Sequence, residues 1–179
     1  DMEDYVVLGE LSLDANIRSV MGVLPAAIHA VSNDNSLICP SECGGEAAWA
    51  GEELNILAPR NLLQLINHIK GTQILRRPEG KLAENNPVKL PDLMHVKGQE
   101  SAKRALEVTA AGGHNMLMMG PPGSGKSMLS SCLPRILPPL NAAEALEVSM
   151  IHSLSGTLPD GGLMTTRPYR DPHHSASLP

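Results

Sequence analysis

Over the first seventy positions the apolar residues fall into short runs whose period alternates. Tyr5-Val6-Val7-Leu8, Ser36-Leu37-Ile38 and Leu54-Asn55-Ile56-Leu57 are brief aliphatic runs, which predicts strands. The stretches 23–31 and 61–69 are longer. In the second, Leu62, Leu63, Leu65, Ile66 and Ile69 recur at helical spacing. Strand-like and helix-like runs that alternate in this way predict an α/β domain over residues 1–70.

The pattern then breaks. Residues 71–91 carry Gly71, Pro78, Gly80, Pro87 and Pro91 among charges, which reads as an interdomain linker. A second domain is expected over 92–179. Its first element is a helix over 99–111, with Ala102, Ala105, Leu106 and Thr109 on one face, closed by Gly112-Gly113. Asn115-Met116-Leu117-Met118-Met119 follows as a short apolar segment suited to a buried parallel strand. After the next loop, Met128, Leu129, Cys132 and Leu133 return to helical spacing. The methionine-rich strand and the single tryptophan, Trp49, are expected in the core.

The loop between that strand and helix carries the chemistry. Gly120-Pro121-Pro122-Gly123-Ser124-Gly125-Lys126-Ser127 matches the phosphate-binding pattern GxxxxGK[ST] at every position. Gly120, Gly123 and Gly125 allow backbone conformations that a side chain would forbid, so that successive N–H groups can converge on a phosphate at a helix N-terminus. Pro121 and Pro122 stiffen the entry. Lys126 is the expected catalytic residue, reaching the β- and γ-phosphates. Ser127 is expected to offer its hydroxyl to Mg²⁺. With Met128, residues 120–128 form the expected nucleotide-contacting set. The loop by itself does not choose the base.

Hydrolysis needs more. A second strand ending in an acidic pair should hold Mg²⁺ and polarise the attacking water, but the acids after Ser127 are Glu144, Glu147, Asp160 and Asp171, and none follows a strand-like run. The 52 residues after the loop are too few for the remaining βα units of a doubly wound sheet, so the chain reads as stopping inside a domain.

Composition narrows the class. The chain has 42% hydrophobic and 18% charged residues with a formal charge of −5, and no apolar stretch approaches the ~20 residues of a membrane span. A cytoplasmic protein without a membrane partner is expected. The three cysteines read as reduced thiols, and Cys39 and Cys43 lack a second pair with which to hold zinc. Residues 1–90 hold 7 Lys/Arg against 12 Asp/Glu, whereas 91–179 hold 7 of each and five of the seven histidines. An anionic polymer would therefore be met in the second half.

Within that half, Gly161-Gly162-Leu163-Met164-Thr165-Thr166-Arg167 opens like a β-hairpin, and Arg167, Arg170, His173 and His174 gather cationic or titratable donors. DNA contact through Arg167 and Arg170 is one reading. Ion pairing of these arginines with Asp171, Glu144 or Glu147 is another. Metal ligation by His173-His174 is disfavoured, because adjacent side chains on a strand point oppositely.

Four blocks carry a family resemblance. Leu90-Pro-Asp-Leu-Met-His-Val-Lys-Gly-Gln-Glu100, the 120–127 loop, Ala145-Leu-Glu-Val-Ser-Met-Ile-His-Ser153 and Arg167-Pro-Tyr-Arg-Asp-Pro-His-His-Ser175 together resemble the ComM/YifB family of magnesium-chelatase-like AAA+ ATPases. The resemblance implies the start of a P-loop AAA+ α/β/α domain over 92–179, truncated at its end, with ATP and Mg²⁺ as cofactors and Val96, Gly98 and Gln99 at the adenine. It also implies that 1–70 is the C-terminal part of a domain with the fold of the Lon protease catalytic region and of the second domain of ribosomal protein S5. Pro25 stands where Lon-like proteases carry their lysine, and a proline cannot accept a proton, which argues against proteolysis. By family, the intact protein is expected to form a homo-oligomeric, hexameric ring that translocates on DNA and acts on recombination intermediates in natural transformation. A magnesium-chelatase-type ATPase subunit that remodels a protein partner is the alternative, and a non-hydrolysing nucleotide-gated module a third.

Overall fold

The computed structural model describes residues 2–80, 91–159 and 162–172. In chain order the elements are β1 (Tyr5–Val7), β2 (Glu10–Leu11), β3 (Ile17–Arg18), α1 (Val23–Ser32), β4 (Ser36–Ile38), α2 (Gly44–Ala47), β5 (Ile56–Leu57), α3 (Leu62–Ile69), α4 (Glu100–Gly112), α5 (Lys126–Ile136) and α6 (Ala142–Leu154). They divide into two compact units. The first joins Asp1–Glu84 to Asn141–Thr165, and the second joins Asn85–Leu140 to Thr166–Pro179. The protein is a mixed α/β chain with a parallel sheet, as the alternating runs predict.

In the first unit β4 lies at the centre of a three-stranded parallel sheet, flanked by β1 and β5, with Val6 opposite Leu37 and Leu37 opposite Ile56. Leu37, Ile38 and Cys39 are consecutive and all buried, so both faces of the sheet are covered at β4, which explains why the run is apolar without alternation. Helix α1 covers the sheet with Val23, Ala27 and Ala30, and together with Leu37, Cys43, Ala47, Leu54 and Ile56 these make the core. The predicted strands and the helices over 23–31 and 61–69 all form. The 10–18 segment pairs as an antiparallel ribbon of β2 and β3.

Two expectations change in this unit. Residues 76–80, read as linker, are docked: the Arg77 guanidinium donates to the Leu54 and Gly51 carbonyls at 3.3 and 2.6 Å, and a Cβ on Gly44 would meet Pro78 at 2.9 Å. Composition marks the stretch as non-helical, but tertiary contacts to carbonyls left free by neighbouring loops hold it down. Residues 81–90, the rest of that linker, lie outside the described residues. Trp49 is half-buried rather than in the core, with its ring against Gly80.

Helix α6, which the apolar pattern does not mark, packs within the first unit. Its N-terminus carries a capping box, in which the Asn141 side chain accepts from the Glu144 amide and the Glu144 carboxylate accepts from the Asn141 amide. Asn141 and Glu144 at that spacing are the local signal for it.

In the second unit α4 and α5 pack around Val96, Leu106, Leu129 and Cys132, with Leu93, Ala102, Met116 and Met118 against them. Helix α4 ends at Gly113, whose φ of 62° closes it in the left-handed region, as the paired glycines predict. Its inward face is shifted from the expected one: Leu106 and Ala110 are buried while Ala105 is exposed. The segment 115–119 is not a strand. It alternates, with Met116 and Met118 half-buried and Leu117 and Met119 83% and 87% exposed, and no ladder partner lies beside it among the described residues. Strand character comes from a paired neighbour, which an apolar run cannot supply alone. Of the expected hairpin, Leu163 is the one residue in a β-bridge among the described residues 162–172, and Gly161, His173 and His174 lie outside the described residues.

Candidate functional site

The glycine-rich loop of the second unit turns sharply before α5. The Ser124 amide donates to the Pro121 carbonyl at 3.3 Å, Gly123 and Gly125 take φ of 79° and 83°, and α5 begins at Lys126. A side chain at Gly125 would be strained in the backbone and its Cβ would lie 3.4 Å from the Gln99 amide nitrogen. These are positions where the pattern requires glycine.

Lys126 is folded over the loop. Its ammonium donates to the Gly120 and Pro121 carbonyls at 2.9 and 2.8 Å and to the Ser124 hydroxyl at 3.2 Å. The positive charge therefore sits against the loop, next to the helix N-terminus with its unpaired amides and positive dipole end. Ser127 occupies the second position of α5 and is exposed, as are Pro121, Pro122 and Met128. An amine, helix-start N–H groups and a hydroxyl on the first turn are the donor set that suits a polyphosphate, with the Ser127 oxygen available to Mg²⁺.

A second segment reaches the same loop. Gly98 and Gln99 lie in left-handed conformations with φ of 69° and 59°, which turns the chain into α4 and lets the Gln99 side-chain amide donate to the Ser124 carbonyl at 2.9 Å. Gly98 and Gln99 thus lie beside the glycine-rich loop, joined to it by the Gln99 side chain. Val96 is 4% exposed and packs with Leu106, Leu129 and Cys132, so it supports this segment from beneath. An ion pair not foreseen from sequence, Arg135 to Asp92 at 3.4 Å, ties α5 to the turn preceding Val96. Asp92 also caps that turn, accepting from the Met94 amide.

The other candidates separate. Arg167 donates through Nε to the Pro138 carbonyl at 2.8 Å, whereas Arg170 is exposed. Among the described residues no group of three or more His, Cys, Asp or Glu is placed to hold a metal ion. Cys39 and Cys43 are buried free thiols, and burial pushes the Cys39 thiol up to about 12 and Cys43 above its ordinary value. They are inert core side chains. Among the described residues no helix is long and apolar enough to cross a membrane.

An α/β chain with a glycine-rich loop opening a helix, and a lysine at that helix start, has the frame of a nucleotide-handling protein. Comparison with known proteins specifies it. Residues 92–179 match the family described as magnesium chelatase, subunit ChlI, and residues 1–43 match subunit ChlI of Mg-chelatase. The chain is 41% identical to an uncharacterized protein YifB of Salmonella typhimurium, over 99% of this chain and 35% of that protein. It is 40% identical to an uncharacterized protein of Mycobacterium tuberculosis over the same shares, and 34% identical to Competence protein ComM of Haemophilus influenzae over 99% of this chain and 36% of that one. The chain belongs to this magnesium-chelatase-like family, an ATPase family whose members include YifB and ComM. It spans about a third of the length of the curated relatives it matches.

Proposed function

We propose that the chain is the ATP-binding part of a cytoplasmic AAA+ motor, in which residues 120–128 take the phosphates and Gly98-Gln99 border the adenine. The observation that carries this reading is Lys126, whose ammonium lies on the Gly120 and Pro121 carbonyls at the start of α5. Exchanging these carbonyl partners for phosphate oxygens replaces neutral acceptors with charged ones, which is the favourable direction for an ammonium. Bound Mg²⁺ would supply charge neutralisation between phosphate oxygens, and Ser127 is the side chain that would hold it. Gln99 steadies the loop by its bond to Ser124.

In the same reading the intact protein is a homo-oligomeric ring, a hexamer, that translocates on DNA during natural transformation, and the first unit is a Lon-like domain without proteolytic chemistry. Pro25 lies in the first turn of α1, where a proline costs no hydrogen bond but offers no base. Arg167 and Arg170 are the DNA-contacting residues. The test is ATP hydrolysis by the full-length protein with and without DNA. DNA should stimulate turnover, and changing Arg167 and Arg170 to Ala should weaken DNA binding and lower its log–log salt slope by about one for each phosphate that is no longer neutralised. An unchanged slope overturns the assignment to these arginines. The matches to magnesium chelatase favour one second reading, an ATPase that remodels a protein partner. It predicts turnover indifferent to DNA.

A further inference from the structure

Away from the glycine-rich loop, the first unit holds a cavity of about 500 Å³ lined by Asn16, Ile17, Arg18, Ser41, Glu42 and Arg60. A second of about 250 Å³ shares Arg60 and is bordered by the amide side chains of Asn61, Gln64, Asn67 and Gln73. Arg60 borders both, so the two adjoin at its side chain.

The backbone builds the larger cavity. The Ile17 amide donates to the Arg60 carbonyl at 2.9 Å and the Leu62 amide to the Ala15 carbonyl at 2.9 Å, so β3 and the lead-in to α3 run side by side. The Ser41 amide donates to the Pro59 carbonyl at 3.2 Å and brings the third wall. Asn16 is fixed by its side-chain bond to Asp14 at 2.7 Å. Arg18 and Arg60 are thereby held on one cavity by rigid neighbours.

A single carboxylate, Glu42, shares the cavity wall with Arg18 and Arg60, and it pairs with neither. Neither guanidinium has a hydrogen-bond or ion-pair partner among the described residues, whereas Arg77, Arg104, Arg135 and Arg167 each have one. Residues 1–80 hold only 5 Lys/Arg against 11 Asp/Glu, so two of the few cations in an acidic stretch face the same space. Two like charges on one cavity wall repel, and an anion held between them turns that repulsion into attraction.

We propose that these adjoining cavities bind a phosphate ester, with the phosphate between Arg18 and Arg60 and its hydroxyl-bearing body extending past Arg60 along the amide side chains. Guanidinium forks match phosphate oxygens in pairs, and the Ser41 hydroxyl and Asn16 amide add donors. Glu42, the one carboxylate on the lining, accepts from a sugar hydroxyl and disfavours bare polyphosphate. Asn61, Gln64, Asn67 and Gln73 offer both donors and acceptors to the rest of the ligand. The volume suits a sugar phosphate or one nucleotide of a strand, and no aromatic ring lines either cavity, so base stacking plays no part.

The test uses the whole chain with Lys126→Ala, which weakens phosphate binding at the other loop, and three probes: inorganic phosphate, ribose 5-phosphate and a labelled oligothymidylate. Titration calorimetry and fluorescence anisotropy should show binding of ribose 5-phosphate or of the oligonucleotide that weakens at least tenfold when Arg18→Ala and Arg60→Ala are combined. Arg18→Glu with Arg60→Glu should abolish it, and the double lysine variant should retain part. Affinity that rises with oligonucleotide length identifies a nucleic-acid strand as the source; ribose 5-phosphate bound as tightly identifies a free sugar phosphate. The proposal is overturned if neither ester binds, if inorganic phosphate binds as tightly as the esters, or if the double alanine variant keeps its affinities while melting like the parent.

Discussion

Glu46 and Ser153 stand 107 residues apart in sequence and meet in the first unit, where the Ser153 hydroxyl donates to Glu46 Oε1. The same oxygen accepts from the Leu24 amide at 2.9 Å, in the first turn of α1. Glu46 is 8% exposed. Gly22, the residue before α1, has no side chain with which to cap it. The carboxylate takes over that duty and places negative charge at the positive end of the helix.

Replacing Glu46 with Ala should therefore strand a buried amide and a buried hydroxyl together, lowering stability by about 1–3 kcal/mol. Ser153→Ala alone should cost less, because the carboxylate keeps the amide. Urea unfolding of both single variants and the double variant gives the coupling between the two sites, and additive effects would mean that the hydroxyl contributes nothing through Glu46.

Lys126→Ala should reduce affinity for Mg-ATP about ten- to a hundredfold, the loss of a charge-assisted contact of ~1.5–3 kcal/mol. The 179-residue chain should show no ATP turnover above that variant, since it contains no strand-like run ending in an acidic pair after Ser127. Steady phosphate release by the unaltered chain would contradict this.

Arg77 holds residues 76–80 on the first unit through two carbonyls. Limited trypsin digestion should spare Arg76 in the parent chain and cut there in Arg77→Ala. Equal cleavage in both would mean that the clamp does not hold the segment in solution.

The Cys39 thiol is pushed by burial from 9.0 up to about 12. Its folded value is raised, so the associated stability is fully present below about 9 and is lost as pH climbs toward about 12. Melting temperature should fall over that window, and less steeply in Cys39→Ala. Cys39, Cys43 and Cys132 should all react slowly with a thiol reagent at pH 8 until the chain unfolds.

The legible parts of the structure are those set by neighbours in sequence. Asn61 before an apolar helical run becomes the cap of α3, accepting from the Gln64 amide at 2.9 Å, and Gly113 closes α4. The 120–127 pattern becomes a left-handed glycine loop at the start of α5. The capping box that starts α6 is equally local, although the apolar period alone does not reveal it.

What depends on distant partners is not legible. The apolar run 115–119 has strand composition, yet pairing is a property of two segments and no second one stands beside it among the described residues. The linker-like composition of 76–80 gives no sign of the Gly51 and Leu54 carbonyls that wait for Arg77. In the same way Arg18 and Arg60, 42 positions apart, share a cavity only because the Ile17 amide meets the Arg60 carbonyl. The sequence by itself determined the α/β alternation, the helix ends and the phosphate-type loop, because capping, periodicity and glycine conformations act over a few residues. Which segments dock, which charges face one another and which acid caps α1 were decided only by the tertiary structure, because long-range contacts form where the chain's return path brings unsatisfied groups together.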